Sequence, residues 1–170
     1  MHIILMAAVT LDGKMARGPA HLSSWTSPED KKLFRAETKR AGVILIGHNT
    51  YKTLARPLPG RLHIVLTRDP ATQTPAAGVV EFTDALPSAI VADLEARGYT
   101  EAVLVGGGQI NALFLASDLV DEIWLTVEPL IFGRGIHVFE GVDFDRAVRL
   151  LEIRPLNAGT FLVRYGLREG

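Results

Sequence analysis

Val43-Ile44-Leu45-Ile46-Gly47, followed at once by His48-Asn49-Thr50-Tyr51, sets the fold class. An unbroken apolar run reads as a strand covered on both faces, as in a parallel sheet, and the glycine after it opens a helix start. Val103-Leu104-Val105-Gly106-Gly107-Gly108-Gln109-Ile110 repeats the arrangement later in the chain. Outward from these two turns, short apolar runs alternate with helix-like segments. That alternation predicts an α/β three-layer sandwich, with a mostly parallel central sheet and helices on both faces. Strands are expected over His2 to Val9, Val43 to Gly47, Leu62 to Thr67, Val79 to Phe82, Ala102 to Val105 and Glu122 to Val127. Helices are expected over Pro28 to Arg40, Asn49 to Leu54, Ala85 to Arg97 and Gln109 to Ala116. Val148 to Arg154 and Thr160 to Gly166 flank Pro155-Leu156-Asn157-Ala158-Gly159, whose turn residues predict a C-terminal antiparallel hairpin. Asp69 to Gly78 reads as a surface loop. Asp12 to Ser24, with Gly13, Gly18 and Pro19, is long enough for a mobile lid beside a site.

At 170 residues and 48% hydrophobic content, the chain can bury one core and is too short for two ordinary domains, so residues 1–170 are expected to form a single domain. A formal net charge of -1, without any run of Lys or Arg, argues against nucleic acid as a partner. The absence of cysteine excludes disulfides and thiolate metal sites, and the five histidines are scattered, so no metal is expected. No apolar run is long enough to span a bilayer. Met1 to Val9 has neither a basic lead nor a small-residue cleavage site and reads as a first core strand, which makes the cytoplasm the expected address.

Ser27-Pro28-Glu29-Asp30 has the grammar of a helix start: Ser27 as N-cap, Pro28 in the first helical position and acidic side chains complementing the helix dipole. The same residues offer chemistry. A carboxylate in an apolar pocket accepts two hydrogen bonds from a ring N–H and a neighbouring exocyclic amine, a grip that neutral acceptors do not match. Phe34 lies one helical turn beyond Asp30, on the same face, where it can pack against such a ring. The two roles are compatible, with Glu29 outward and Asp30 inward. The glycine turns at Gly47 and at Gly106-Gly107-Gly108 have the look of ordinary strand-to-helix turns and equally of phosphate sites, since free N–H groups and a helix dipole face whatever sits there. The triplet is not the G-x-G-x-x-G fingerprint. Leu66-Thr67-Arg68-Asp69 is either a solvated strand end or a hydroxyl and guanidinium suited to the 2′-phosphate that separates NADP from NAD. Arg56-Pro57-Leu58-Pro59-Gly60-Arg61 reads, by turn chemistry alone, as a proline-glycine turn with exposed arginines.

Taken in order, Trp25-Thr26-Ser27-Pro28-Glu29-Asp30…Phe34, the Arg56 to Arg61 loop and the glycine triplet resemble the dihydrofolate reductase superfamily from about Met1 to Gly141. The resemblance implies that fold, with Asp30 as the pterin-binding carboxylate and Thr126 of Leu125-Thr126-Val127 supporting it, the pair that carries catalysis. It implies that Ala8, Phe34, Leu54 and Leu58 line the substrate pocket and that Arg61 holds the carboxylate tail of the folate. Ala8, Ala16, Gly47, His48, Asn49, Thr50, Leu66, Thr67, Arg68, Val105, Gly107, Gly108, Gln109 and Ile110 would cradle NADPH. The implied reaction is hydride transfer to 7,8-dihydrofolate, giving tetrahydrofolate, with the ring proton arriving through water while Asp30 biases the ring's charge and orientation. Either a monomer or a homodimer agrees with the resemblance. Some residues depart from the pattern. His48 stands where an arginine is frequent, and Asn111 where a tyrosine is frequent. Val9 to Ala16 and Glu128 to Gly135 are more similar to the pyrimidine reductase of riboflavin biosynthesis, which shares fold and cofactor. That relative usually carries a double aspartate and a proline soon after the threonine of the second helix, whereas this chain reads Thr50-Tyr51-Lys52-Thr53-Leu54. A phosphoribosyl substrate would also want a phosphate-binding basic group where this chain has the Arg61 loop. A third reading, a nucleotide-binding protein without catalysis, calls for a pocket filled by side chains.

Overall fold

The computed structural model describes residues 1–141, 143 and 145–167 and places the first predicted strand, β1 (His2–Thr10), in the interior of a mixed sheet. The elements that follow are β2 (Lys14–Ala16), α1 (Pro28–Ala41), β3 (Val43–Gly47), α2 (His48–Tyr51), β4 (Leu62–Leu66), β5 (Val80–Thr83), α3 (Pro87–Ala96) and β6 (Glu101–Leu104). After them come α4 (Gly108–Ala116), β7 (Glu122–Glu128), β8 (Ile136–His137), β9 (Arg149–Pro155) and β10 (Phe161–Gly166). Eight strands form the main sheet in the order β5-β4-β3-β6-β1-β7-β10-β9. The first six in that order run parallel, and β10 and β9 close the sheet as the antiparallel hairpin that the sequence predicts.

Successive side chains of a strand point to opposite faces, so β1 supplies two cores. Ile3 and Leu5 pack with Ile90 and Leu94 of α3 and Phe114 of α4, whereas Ile4 and Met6 join Ile44, Val103, Trp124 and Leu162 beneath Leu33 of α1. Every residue of β3 and of β4 is buried, as the continuous apolar run of β3 requires when helices cover both faces, and β4 carries His63 into the interior with it. Leu5, Leu45 and Leu104 are fully buried, and truncating any one of them to alanine would cost about 2–5 kcal/mol. At the far end, β9 lies on the sheet's edge with Leu150 and Ile153 exposed.

Three elements differ from expectation. The second helix starts at His48 and ends after one turn at Tyr51, because Thr53 and Leu54 bond to carbonyls three residues back and Pro57 disfavours helical backbone in the residue before it. The third begins at Pro87 rather than Ala85, since the residue before a proline is disfavoured in helical conformation. The long loop after β1 is not structureless. It carries β2, which pairs with β8, and a one-turn 3-10 helix at Ser23–Trp25. Strands of two and three residues are too short to leave a periodic trace in sequence.

Candidate active site

A cavity of about 370 Å³ opens above the carboxyl ends of β1, β6 and β7, walled by α1, the loop before it and the segment after α2. Asp30 reaches it from the first turn of α1. Ser27 caps that helix by accepting the Asp30 N–H at 3.2 Å, and Gly42, left-handed at φ 75, ends it. Burial pushes the Asp30 carboxyl up, while hydrogen bonds from the Thr26 and Thr126 hydroxyls pull it down and the Glu128 carboxylate adds to the upward push. Trp124, Thr126 and Glu128 alternate along β7 and are all buried, the first two against the cavity. Glu128, at 3% exposure, accepts the Ser27 N–H at 2.7 Å with one oxygen and the Thr160 hydroxyl at 2.7 Å with the other. A glutamate before Pro129 at a strand end looks like solvent face in sequence, and the period of two that joins it to Thr126 is the signal that marks it.

Part of the cavity's lining is cationic. Arg61 supplies it, with Lys31 and Arg35 from one face of α1. Arg61 is not the exposed arginine that turn chemistry predicts: it is 7% exposed, donates to the Thr38 hydroxyl, and gives Nε and Nη2 to the Pro59 carbonyl at 3.2 Å each. Burial, then the neighbouring Arg35, draws its guanidinium below the usual range. His63, fully buried beneath the loop, fixes it to the sheet: its Nε2 accepts the Leu58 N–H at 3.0 Å while Nδ1 faces the Val79 carbonyl at 3.0 Å. Burial lowers the His63 pKa, in keeping with the neutral ring that those two partners require. Phe34, Leu54 and Leu58 complete the apolar wall around Asp30, and Trp25, Met15 and Trp124, which the sequence reading did not assign to the pocket, line it too.

On the other side of β1 the two glycine turns meet. The Gly47 N–H donates to the Gly106 carbonyl at 2.7 Å, and a Cβ on Gly47 would stand 2.9 Å from Ile110. A Cβ on Gly107 would stand 3.1 Å from the Thr50 hydroxyl, so the turns touch with little room between them. Ala8, Ala16, Thr50, Val105 and Gly107 line the cavity itself. His48 and Thr67 come together at the ends of β3 and β4, Nδ1 to Oγ1 at 3.4 Å, with exposed Arg68 next in sequence. Burial, then Lys52, lowers the His48 pKa. Asn49 and Gln109 are exposed at the two turns, and Gly108 packs against the His137 carbonyl and Glu140. The side chains of Leu66 and Ile110 turn into or against the core, which leaves only their backbone for a ligand. Asn111 is fully buried, its Nδ2 donating to the Val138 carbonyl at 2.9 Å. These two glycine turns, with the Thr67 hydroxyl and the Arg68 guanidinium beyond them, would suit an extended dinucleotide. Among the described residues no group of three His, Asp or Glu gathers to hold a metal.

The loop over the cavity is clasped from the β7–β8 side. Asp12 accepts the Thr10 hydroxyl at 2.6 Å and the N–H groups of Phe132 and Gly133 at 3.1 and 2.8 Å. The Thr10 hydroxyl, followed by these backbone donors, holds its carboxyl down at about 2 despite some desolvation. Phe132 meets Trp25 edge-on at 5.0 Å, with the Arg17 guanidinium 4.0 Å from its ring centre. Residues 9–16 and 128–135 therefore form one unit.

The family model of the RibD C-terminal domain matches residues 1–162. A dihydrofolate reductase of Neisseria meningitidis serogroup A is 38% identical over 136 residues, covering 78% of this chain and 80% of that protein. Dihydrofolate reductase type 3 of Salmonella typhimurium is 34% identical over 126 residues, 74% of this chain and 71% of its own. Among solved structures, RibD of Acinetobacter baumannii superposes with a TM-score of 0.80 over 99% of this chain and 58% of that one, at 18% identity, a likeness of fold. Because the family match spans every wall of the cavity and is joined by relatives of this identity, the chain belongs to the RibD C-terminal domain family and is a reductase of dihydrofolate reductase-like type.

Proposed function

We propose that the chain reduces 7,8-dihydrofolate to 5,6,7,8-tetrahydrofolate with NADPH. The observation that carries this reading is the pairing of ends within one cavity: Asp30 beside the Thr26 and Thr126 hydroxyls among apolar walls, and Arg61 with Arg35 lining the same space. A flat heterocycle bearing an N–H beside an exocyclic amine suits the first, and a carboxylate tail suits the second. The named activity of the curated relatives agrees. The glycine turns with His48, Thr67 and Arg68 would hold NADPH, which would supply the hydride. The chain's own residues orient the acceptor and keep it dry. Asp30 fixes the ring's rotation and biases its charge, Phe34, Leu58 and Trp124 exclude water from its faces, and Thr126 fixes Asp30. The proton for the ring nitrogen comes through water at the cavity's open side.

A second reading, reduction of 5-amino-6-(5-phosphoribosylamino)uracil, draws on the Asp12 clasp between residues 9–16 and 128–135 and on the matching family model. Loss of NADPH absorbance with each substrate, beside Asp30→Asn, separates the two. Rapid oxidation with dihydrofolate that the variant abolishes is expected. Oxidation with the phosphoribosyl pyrimidine alone would replace the first reading by the second. An open cavity, rather than one filled by side chains, speaks against nucleotide binding without catalysis.

A further inference from the structure

We propose that Glu128 is a positioning residue for Asp30: it clamps the start of α1 to β7 and the C-terminal hairpin, and its carboxylate acts on Asp30 through space. The functional meaning rests on the reading of Asp30 as the ring-binding carboxylate; the physical claim does not.

Glu128 is more deeply buried than Asp30 itself, yet among the described residues no salt bridge reaches it. A carboxylate taken out of water without a cation is costly unless both oxygens are hydrogen-bonded. Both are here, and the donors are informative. Ser27 is the N-cap of α1, and its own N–H goes to Glu128 at 2.7 Å while its hydroxyl accepts from Asp30. Thr160 opens β10, so its 2.7 Å bond draws the hairpin onto the same carboxylate. The seat of Asp30 is thus fixed twice from β7, by Thr126 directly and by Glu128 through the backbone before the helix. The charges that bear on Asp30 are Lys31 from α1 and Glu128 from β7; Thr26 and Thr126 face it as uncharged donors. Glu29, its neighbour in sequence, is tied away on the outside by the Asn157 amide at 2.9 Å. Of these charges only Glu128 opposes ionisation of Asp30.

Glu128→Gln isolates the charge. Its amide oxygen can take the Ser27 N–H, and its amide nitrogen can donate to the Thr160 hydroxyl. Glu128→Asp does the reverse, keeping the charge while shortening the reach. The measurement is a carbon-13 titration of aspartate carboxyls in ligand-free protein, with the Asp30 signal assigned by its loss in Asp30→Asn, together with hydrogen exchange at the Ser27 amide. In Glu128→Gln the Asp30 midpoint should fall by about half a unit or more, with Ser27 still protected. In Glu128→Asp the midpoint should stay raised while Ser27 exchanges roughly tenfold faster. An unmoved midpoint in the first variant, or unmoved exchange in the second, overturns the proposal. If Glu128→Gln fails to fold, Thr160→Val takes its place: faster Ser27 exchange with a raised midpoint supports the clamp, and unchanged exchange sinks it. Absence of dihydrofolate turnover, with these shifts present, would remove only the substrate reading.

Discussion

Burial makes an ionised Asp30 costly to the fold, and Asp30→Asn separates that cost from the part in ring binding proposed for it. Its carboxyl is raised in the folded protein, chiefly by burial. A group shifted that way gives its full stability below the unfolded value of about 4 and loses it as pH climbs through the folded value. The asparagine variant escapes that loss, so its melting temperature should exceed the parent's at pH 8 and match it near pH 3, while turnover falls on the order of 10²-fold or more with NADPH affinity kept. Equal melting shifts at both pH values would show that the carboxylate's burial is not what the fold opposes. Arg61→Ala should weaken dihydrofolate far more than a pterin without the glutamate tail, and should lower stability as well, since Thr38 and the Pro59 carbonyl lose their donor. Equal weakening of both ligands would retire the tail assignment. Asp30 was legible in sequence because its capping grammar and the spacing to Phe34 are local. The partners of Glu128 stand 101 and 32 positions away, so its only local mark is the period of two that joins it to Thr126.

At the scale of elements, the glycine turns work by leaving space. Gly107 has φ -72, which any residue can adopt, so its requirement is steric: a Cβ there presses on the Thr50 hydroxyl at 3.1 Å, between the ends of β3 and β6. Gly107→Ala should therefore weaken NADPH binding about tenfold or more by fluorescence titration, with the unfolding midpoint nearly unmoved. Normal NADPH affinity would place the dinucleotide elsewhere. These turns could be read in advance because each follows a continuous apolar run, the strongest signal a buried parallel strand leaves. The clasp over the cavity could not. β2 and β8 are too short for periodicity, and Asp12 engages backbone N–H groups of residues 132 and 133, donors that every residue but proline carries.

For the molecule as a whole, the topology forbids halves. β1, the first strand in sequence, lies inside the sheet between β6 and β7, and its two faces feed cores under α1 on one side and α3 with α4 on the other. Neither the residues before β6 nor those after it can close a sheet without the other set. The chain should accordingly unfold as one cooperative unit, although its site is assembled from segments more than a hundred positions apart. Trp124, buried in β7, and the far-UV signal of the whole sheet test this once Trp25, in the turn over the cavity, is removed as Trp25→Phe. Urea transitions followed by fluorescence and by circular dichroism should coincide, with a stability of about 5–15 kcal/mol. Fluorescence that changes before the dichroism would instead mean that β7, β10 and β9 detach first. Asp30 would then lose its support from Thr126 and Glu128 while most of the fold remained, and activity would fall along the fluorescence curve.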